Sequence, residues 1–255
     1  YYESLIYEYF DKKIIISVPD RDLIFHPDRN KIDVIPNGVE PFEGDTSTFI
    51  KEYDVLFTGN MSYPPNVDAV EFIAEKIIPI VIKTFPSIKF VIAGINPSNR
   101  VKKLISENII VTGWVKEMNE YYAKSHLFVA PMMIGTGLQN KILEAMAMHV
   151  PCIISSLANK SLCATHNKHL LIGKTPEEYA QLIIEMLSDS NKRKEIGENG
   201  YQFVKEKYNW DTINKKCMAT LTGHTKCLKS LALSVDGSVL YSGSLDNTIR
   251  VWDVK

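Results

Sequence analysis

The chain has 255 residues, 45% of them hydrophobic and 23% charged, with a net charge of −1. These are the proportions of an ordinary globular protein, long enough for one large domain or two small ones. They exclude a global pull toward nucleic acid or anionic lipid; no apolar run spans a bilayer, and no signal-peptide pattern opens the chain. Cys152, Cys163, Cys217 and Cys227 form no C-x-x-C pair and fit reduced thiols in a cytoplasmic protein better than a disulfide frame. The chain opens at Tyr1 rather than at methionine and reads as a fragment, or as a chain trimmed upstream.

In chain order, "YYESLIYEYF" predicts an amphipathic helix whose tyrosines either meet a lipid or partner or have lost the neighbours they packed on. "KKIIIS" predicts a strand, and "KIDVIPNGVEPF" a strand followed by a Pro/Asn/Gly turn. Nothing here closes a domain, so residues 1–40 read as the tail of an upstream domain plus a connector. From Asp54 the pattern becomes strand, helix, strand, helix. "DVLFTG" (54–59) is a strand closed by glycine, and apolar residues at Val67, Val70, Ile73, Ile77 and Val81 predict a helix over 66–83. "IKFVIAG" (88–94), a polar helix near 98–107, "NIIVTG" (108–113), a helix near 117–124 and "HLFVAP" (126–131) follow. After them come a helix that starts directly after the "GTG" of 135–137, the strands "PCIISS" (151–156) and "LLI" (170–172), and helices at 176–188 and 190–206. Apolar strands without alternation, each followed by a helix, predict an α/β fold over residues 41–214: a Rossmann-like, doubly wound parallel sheet covered on both faces. Past 214–218 the texture changes to short alternating strands with "VDG" and "LDN" turns, which predicts a small all-β unit over 215–255.

Open α/β sheets bind ligands beyond the carboxyl ends of their strands, and Gly59, Gly94, Gly113, Gly135 and Gly137 fall there. Glycine lets a ligand approach the backbone closely. "GTGLQNKILEAMAM" runs a glycine turn straight into a helix that is apolar nearly all round, and the first N–H groups of such a helix suit a phosphate. Glu144 lies two turns in. An unpaired carboxylate does not belong in an interior, and the vicinal hydroxyls of a ribose would satisfy it. Two readings need no ligand: Thr136 and Gln139 have the spacing of a capping box, and Lys141 and Glu144, three apart, can pair.

Further motifs are "VIPNGVE" (34–40), "LFTGNMSYPPNVDAV" (56–70), "VIAG" (91–94), "VTGWV" (111–115), "APMMIGTGLQNKILEAMAMHVPCIIS" (130–155) and "YNWD" (208–211). Through them residues 1–214 resemble the C-terminal half of a family-4 glycosyltransferase of the GT-B fold, in particular sugar transferases of bacterial exopolysaccharide and exosortase systems. In that family two Rossmann-like domains face each other across a cleft, and the C-terminal one binds a nucleoside-diphosphate sugar. The resemblance implies that Glu144 holds the ribose hydroxyls, as the second glutamate of a paired motif. It places Gly135, Thr136, Gly137 and Leu138 along the diphosphate and sugar, Gly59 and Asn60 against the diphosphate, and Gly113, Trp114 and Val115 beside the base. This sequence departs from the pattern in two places. Thr136 stands where the first glutamate belongs, and "GNMSYPPN" lacks the basic residues many relatives carry, leaving Lys141 to supply charge. The acceptor domain with its catalytic histidine is expected upstream, with residues 1–17 as its last helix and strand, and no catalytic residue is assigned in this chain. The implied reaction passes a sugar from the nucleotide donor to a glycan or lipid-linked acceptor. It needs no metal or other cofactor, and it places the protein in the cytoplasm, at the inner face of a bacterial membrane reached through the missing domain.

The last stretch carries "GH" (223–224), "SLD" (244–246) and "VWD" (251–253) and resembles a single WD repeat. In that family a His, a Ser or Thr, an Asp and a Trp form a buried hydrogen-bond network, here His224, Ser242, Asp246 and Trp252. Propellers close with about 4–8 blades, so one blade either docks on a protein partner or begins a longer array. A second function class follows, a non-enzymatic interaction module whose sheet unit keeps only nucleotide affinity. "CATHNKH" sets Cys163, His166 and His169 at three-residue steps but reads as a loop sooner than as a metal site. His126 and His149 read as structural, and Lys192, Arg193 and Lys194 as a solvated helix face.

Overall fold

The computed structural model describes all residues except 1–4, 6, 10, 11, 45, 136, 215–220, 222, 254 and 255. Cys217 and most of the expected opening helix lie outside the described residues. The chain divides into two compact units, Tyr1–Ile213 and Asn214–Lys255.

In the first unit, β1 (Ile14–Ile15) and β2 (Asp33–Val34) pair in parallel. Between them runs α1 (Val18–Asp22), capped by the Ser17 hydroxyl, which accepts from the Asp20 N–H. Six strands then build the main sheet: β3 (Tyr53–Thr58), β4 (Phe90–Ala93), β5 (Ile109–Gly113), β6 (Ser125–Ala130), β7 (Cys152–Ser155) and β8 (Leu171–Gly173). All pair in parallel, in the order β5-β4-β3-β6-β7-β8. Every residue of β4 is buried, and so are the last four of β3, because helices cover both faces. The chain starts at the centre with β3, steps outward to β5, and returns to place β6 on the other side of β3. The order therefore reverses between β3 and β6, and the crevice beyond the carboxyl ends at that point is where such sheets hold ligands.

The helix expected over 66–83 is one rod with a wide turn in it. α2 (Pro64–Phe72) passes through π-helical residues Ile73–Ile77 into α3 (Ile78–Val81). Pro79 lacks an N–H and its ring crowds the carbonyl four residues back, and a π turn just before it relieves both. Val67, Val70, Ile73, Ile77 and Val81 are buried along this rod. The polar helix near 98–107 contracts to α4 (Asn99–Lys102). α5 (Met118–Ala123) and α6 (Asn140–Ala147) follow. α7 (Ser156–Leu162) fills the stretch between "PCIISS" and "CATHNKH", to which the sequence assigns no element; the Ser155 hydroxyl caps it by accepting from the Ala158 N–H. α8 (Pro176–Ser188), α9 (Ser190–Lys207) and α10 (Trp210–Asn214) complete the unit.

The second unit is a three-stranded antiparallel sheet of β9 (Leu228–Leu233), β10 (Val239–Ser244) and β11 (Ile249–Asp253), in the order β11-β10-β9. Among the described residues no helix is long and apolar enough to cross a membrane.

Candidate functional site

The glycines that follow β3 and β4 make the floor of the site, and Gly113 ends β5 beside them. Beyond β3 the Gly59 N–H donates to the Ala93 carbonyl (3.1 Å), and beyond β4 the Gly94 N–H donates to the Gly113 carbonyl (3.0 Å). Gly94 has φ +150°, and a Cβ there would collide with the Gly59 carbonyl oxygen. Its glycine is therefore required by loop-on-loop packing. Gly113 differs: φ is +72° and a Cβ would meet nothing within 4 Å, so only its left-handed backbone demands glycine.

Over this floor lies α6. Ile142, Leu143, Ala145, Met146 and Ala147 bury most of its surface. Asn140 and Glu144, one turn apart, are exposed, and Lys141 is half-buried. Glu144 is thus not an interior carboxylate, as the apolar look of its helix suggests; it sits on the one strip that the core leaves open. That strip faces a pocket of about 340 Å³ bordered by Thr58, Gly59 and Gly94 on one side and Trp114, Val115 and Met118 on the other. Trp114 is 71% exposed, so its indole is free to cover a ligand.

One oxygen of Glu144, Oε2, accepts a hydrogen bond from the Tyr122 hydroxyl (2.9 Å). Tyr122 is fully buried on α5 and also meets Thr58 Oγ1 (2.8 Å) and the Lys141 carbonyl (3.2 Å). Burial and then the Glu144 charge push the Tyr122 hydroxyl well above its ordinary value, so it remains a donor. Among the described residues the other carboxylate oxygen, Oε1, has no protein partner. Lys141 does not pair with Glu144. Its ammonium donates to Asn66 Oδ1 and lies 4.5 Å from the centre of the Phe57 ring. Burial holds the Lys141 pKa down to about 8, with Glu144 opposing the shift. Asn66, itself buried, donates through Nδ2 to the Asn60 carbonyl (3.0 Å) and so ties the loop after β3 to α6. The Asn60 side chain turns into its own loop and accepts from the Ser62 N–H (3.0 Å) and hydroxyl (2.9 Å). Tyr122, Asn66 and Thr58 are neighbours of Glu144 and Lys141 that the sequence does not announce.

The glycine turn sits differently from expectation. α6 begins at Asn140, with Gln139 as a cap residue whose side chain makes no cap bond, so the helix does not follow directly from Gly137 and Gln139 is not at the third helical position a capping box requires. Thr136 lies outside the described residues. Gly135 has φ +97°, the Leu138 side chain is buried, and a Cβ at Gly137 would stand 3.1 Å from Asp20 Oδ2 of α1. The pocket thus gathers Gly59, Trp114, Val115, Lys141 and Glu144, while Asn60, Gly113, Gly135, Gly137 and Leu138 are not in its lining.

Elsewhere, the His166 and His169 rings accept from the Ile172 (3.0 Å) and Thr165 (3.1 Å) N–H groups, and Cys163 contacts the Lys160 carbonyl. Among the described residues no group of three or more His, Cys, Asp or Glu is placed to hold a metal. Lys192 pairs with Glu185, while Arg193 turns inward onto the Met186 and Leu187 carbonyls, so that basic run is not a uniform solvated face. In the second unit, Trp252 Nε1 donates to Ser242 Oγ (2.6 Å), which meets His224 Nε2 (2.7 Å), and His224 Nδ1 meets Asp246 Oδ2 (2.9 Å).

A parallel sheet in this order, with a glycine-floored pocket at its switch point, defines a Rossmann-like domain. Residues 52–189, just over half of the chain, match the model of the glycosyl transferases group 1 family, and the chain belongs to that family. Residues 215–253 match the WD domain, G-beta repeat. A Klebsiella pneumoniae relative, an uncharacterized 44.6 kDa protein in the cps region, is 30% identical over 225 residues, covering 82% of this chain and 57% of the relative. The chain spans about half the length of the curated relatives it matches. Its last part is 46% identical over 43 residues to the guanine nucleotide-binding protein subunit beta of Schizosaccharomyces pombe, covering 17% of this chain and 14% of the relative. The structure of Anabaena HepE in complex with UDP and glucose shares the fold at TM-score 0.67 and 14% identity, covering 84% of this chain and 63% of HepE.

Proposed function

We propose that residues 41–214 form the donor-binding half of a GT-B glycosyltransferase that passes a sugar from a nucleoside diphosphate to a glycan or lipid-linked acceptor. Residues 1–40 are assigned to the connector with the acceptor domain, and residues 215–255 to a WD-type blade that docks on a protein partner. The observation that carries the reading is the placement of Glu144. Its carboxylate is the exposed acid of an otherwise buried helix, anchored by one oxygen to a buried tyrosine, at the switch point of the sheet. A carboxylate fixed in this way suits the two vicinal hydroxyls of a ribose. Trp114 and Val115 then border the base, and the Lys141 ammonium above Gly59 meets the diphosphate. Gly137 lies beside the Asp20 carboxylate, a neighbour better suited to sugar hydroxyls than to phosphate, so the sugar is assigned there. As the glycosidic bond breaks, charge grows on the leaving diphosphate, and Lys141 with the first N–H groups of α6 would stabilise it. The relative in a cps region supports a role in exopolysaccharide assembly.

Isothermal titration with UDP, GDP and ADP tests the assignment. Glu144→Ala is expected to weaken the preferred nucleotide at least about tenfold, the loss of one or two charge-assisted hydrogen bonds, and to leave the melting temperature of the free protein nearly unchanged. Unchanged affinity with a lowered melting temperature would make Glu144 a structural partner of Tyr122 and overturn the reading.

A further inference from the structure

The sheet has a second edge, where the amino ends of its strands emerge away from the glycine loops. There Lys51 precedes β3, His126 is the second residue of β6, and Pro151 precedes β7. With Phe49 and the first turn of α9 they enclose a cavity of about 460 Å³, the size of a small-molecule site. Its lining carries three cations, Lys51, Arg193 and Lys194, and one acid, Glu198. Lys51 Nζ donates to the Ala123 (2.7 Å) and Ser125 (2.9 Å) carbonyls, and Arg193 Nη1 donates to the Met186 (2.5 Å) and Leu187 (3.2 Å) carbonyls. Both cations are therefore fixed by neutral groups. Lys194, at the rim, has no ion pair among the described residues. The acid of the lining, Glu198, is bonded to His149 and Gln202. Two further carboxylates lie outside the lining and attract Arg193: Asp54, which accepts from the Lys89 N–H, and Asp189, which caps α9. Burial first and then Arg193 disfavour the charge on Lys51, and burial first, then Arg193 and Lys51, disfavour a proton on His126, with Asp54 opposing. Three cations around an apolar wall of Phe49 and Pro151 are complementary to a dianion on an apolar body.

We propose that this cavity is a second ligand site, for a small phosphomonoester with an apolar or aromatic body, bound at the amino edge of the sheet and independent of the nucleotide pocket. The probe is 1-naphthyl phosphate, titrated calorimetrically into the full chain with and without saturating UDP, with inorganic phosphate as competitor. Saturable one-to-one binding is expected, unaffected by UDP and displaced by excess inorganic phosphate. Lys194→Glu, on an exposed side chain, is expected to weaken it about tenfold or more with UDP affinity unchanged, and Arg193→Gln to do the same. Arg193 also holds the end of α8; if Arg193→Gln does not fold, Lys194→Glu decides. Absence of saturation, displacement by UDP, or equal affinity in Lys194→Glu would overturn the proposal. Failure of UDP itself to bind bears on the nucleotide reading instead.

Discussion

The α/β unit and the blade are ordered by opposite means. In the first, Val55, Leu56, Phe57, Phe90, Val91, Ile92, Leu127 and Phe128 are fully buried where the sheet meets its helices. In the second, Ser242 alone among the described residues is buried, and β9 is exposed along its whole length. What the blade has instead is a chain of hydrogen bonds from Trp252 through Ser242 and His224 to Asp246, whose carboxyl is held far below the usual range by the Thr248 hydroxyl first and by Thr225 and His224 as well. An intramolecular hydrogen bond nets about 1 kcal/mol, while burying a large apolar side chain contributes about 1.5–3 kcal/mol. A sheet with the first and without the second does not offset the entropy of ordering its chain. The motif of a repeat sets local geometry; its stability comes from a neighbour.

Excision breaks the comparison most severely. Residues 215–255 alone are expected to be unfolded by circular dichroism, whereas residues 1–214 keep a cooperative melt. A cooperative transition in the monomeric excised blade would show that its polar network suffices. Within the α/β unit, the next largest effect is expected where two loops touch. Gly94→Ala puts a methyl group into the Gly59 carbonyl at a φ that disfavours side chains, and is expected to cost about 3 kcal/mol or more in urea unfolding. A loss under about 1 kcal/mol would mean that the loops separate freely.

How much of this was legible in the sequence follows from the same contrast. Strands buried on both faces have few polar positions, so β3, β4, β6 and β7 stand out as apolar runs, and the glycines that close β3 and β4 mark the pocket floor. Glu144 and Lys141 were legible as charges on an apolar helix. Their surroundings were not: Asn140 and Glu144 share a strip that only packing defines, and that strip faces outward. Tyr122 reaches Glu144 from another helix, 22 residues earlier, and "NEYYAKS" gives no sign of which tyrosine turns inward. Asn66 joins Lys141 across 75 residues. Arg193 looks like a solvated cation in its basic run, because the carbonyls it bonds end the preceding helix. The π turn at Ile73–Ile77 had one readable cause, Pro79, within an otherwise regular apolar period.

A smaller effect tests whether the site is an extension of the core. Tyr122→Phe keeps the ring and removes the hydroxyl shared by Thr58, Glu144 and the Lys141 carbonyl. Thr58 is buried and loses a partner, whereas Glu144 is exposed and gains water. A cost of about 1–2 kcal/mol in urea unfolding is expected, with nucleotide affinity reduced less than in Glu144→Ala. A loss of affinity equal to that of Glu144→Ala, at unchanged stability, would assign the tyrosine to the ligand rather than to the carboxylate.

Lys141 gives the smallest effect at neutral pH and the clearest sign. Its pKa is about 8 in the folded protein against 10.5 as the ordinary value, because burial penalises the ammonium more than Glu144 rewards it. Between those two values the unfolded chain holds more of the proton than the folded one, so the contribution of this group to stability rises with pH across that window, by at most about 1.4 kcal/mol per pH unit, and is flat below it. Lys141→Met removes the penalised charge and also the donor to the buried Asn66 oxygen, two changes of opposite sign, so stability at pH 7 is expected to stay within about 1 kcal/mol of the parent. Urea unfolding of both proteins at pH 7 and pH 9.5 reads the difference. The parent should gain on the variant as pH rises, because only the parent sheds a proton from this site on folding. Parallel pH profiles would mean that the ammonium stays hydrated, and its proximity to Gly59 would then carry no weight in placing the diphosphate.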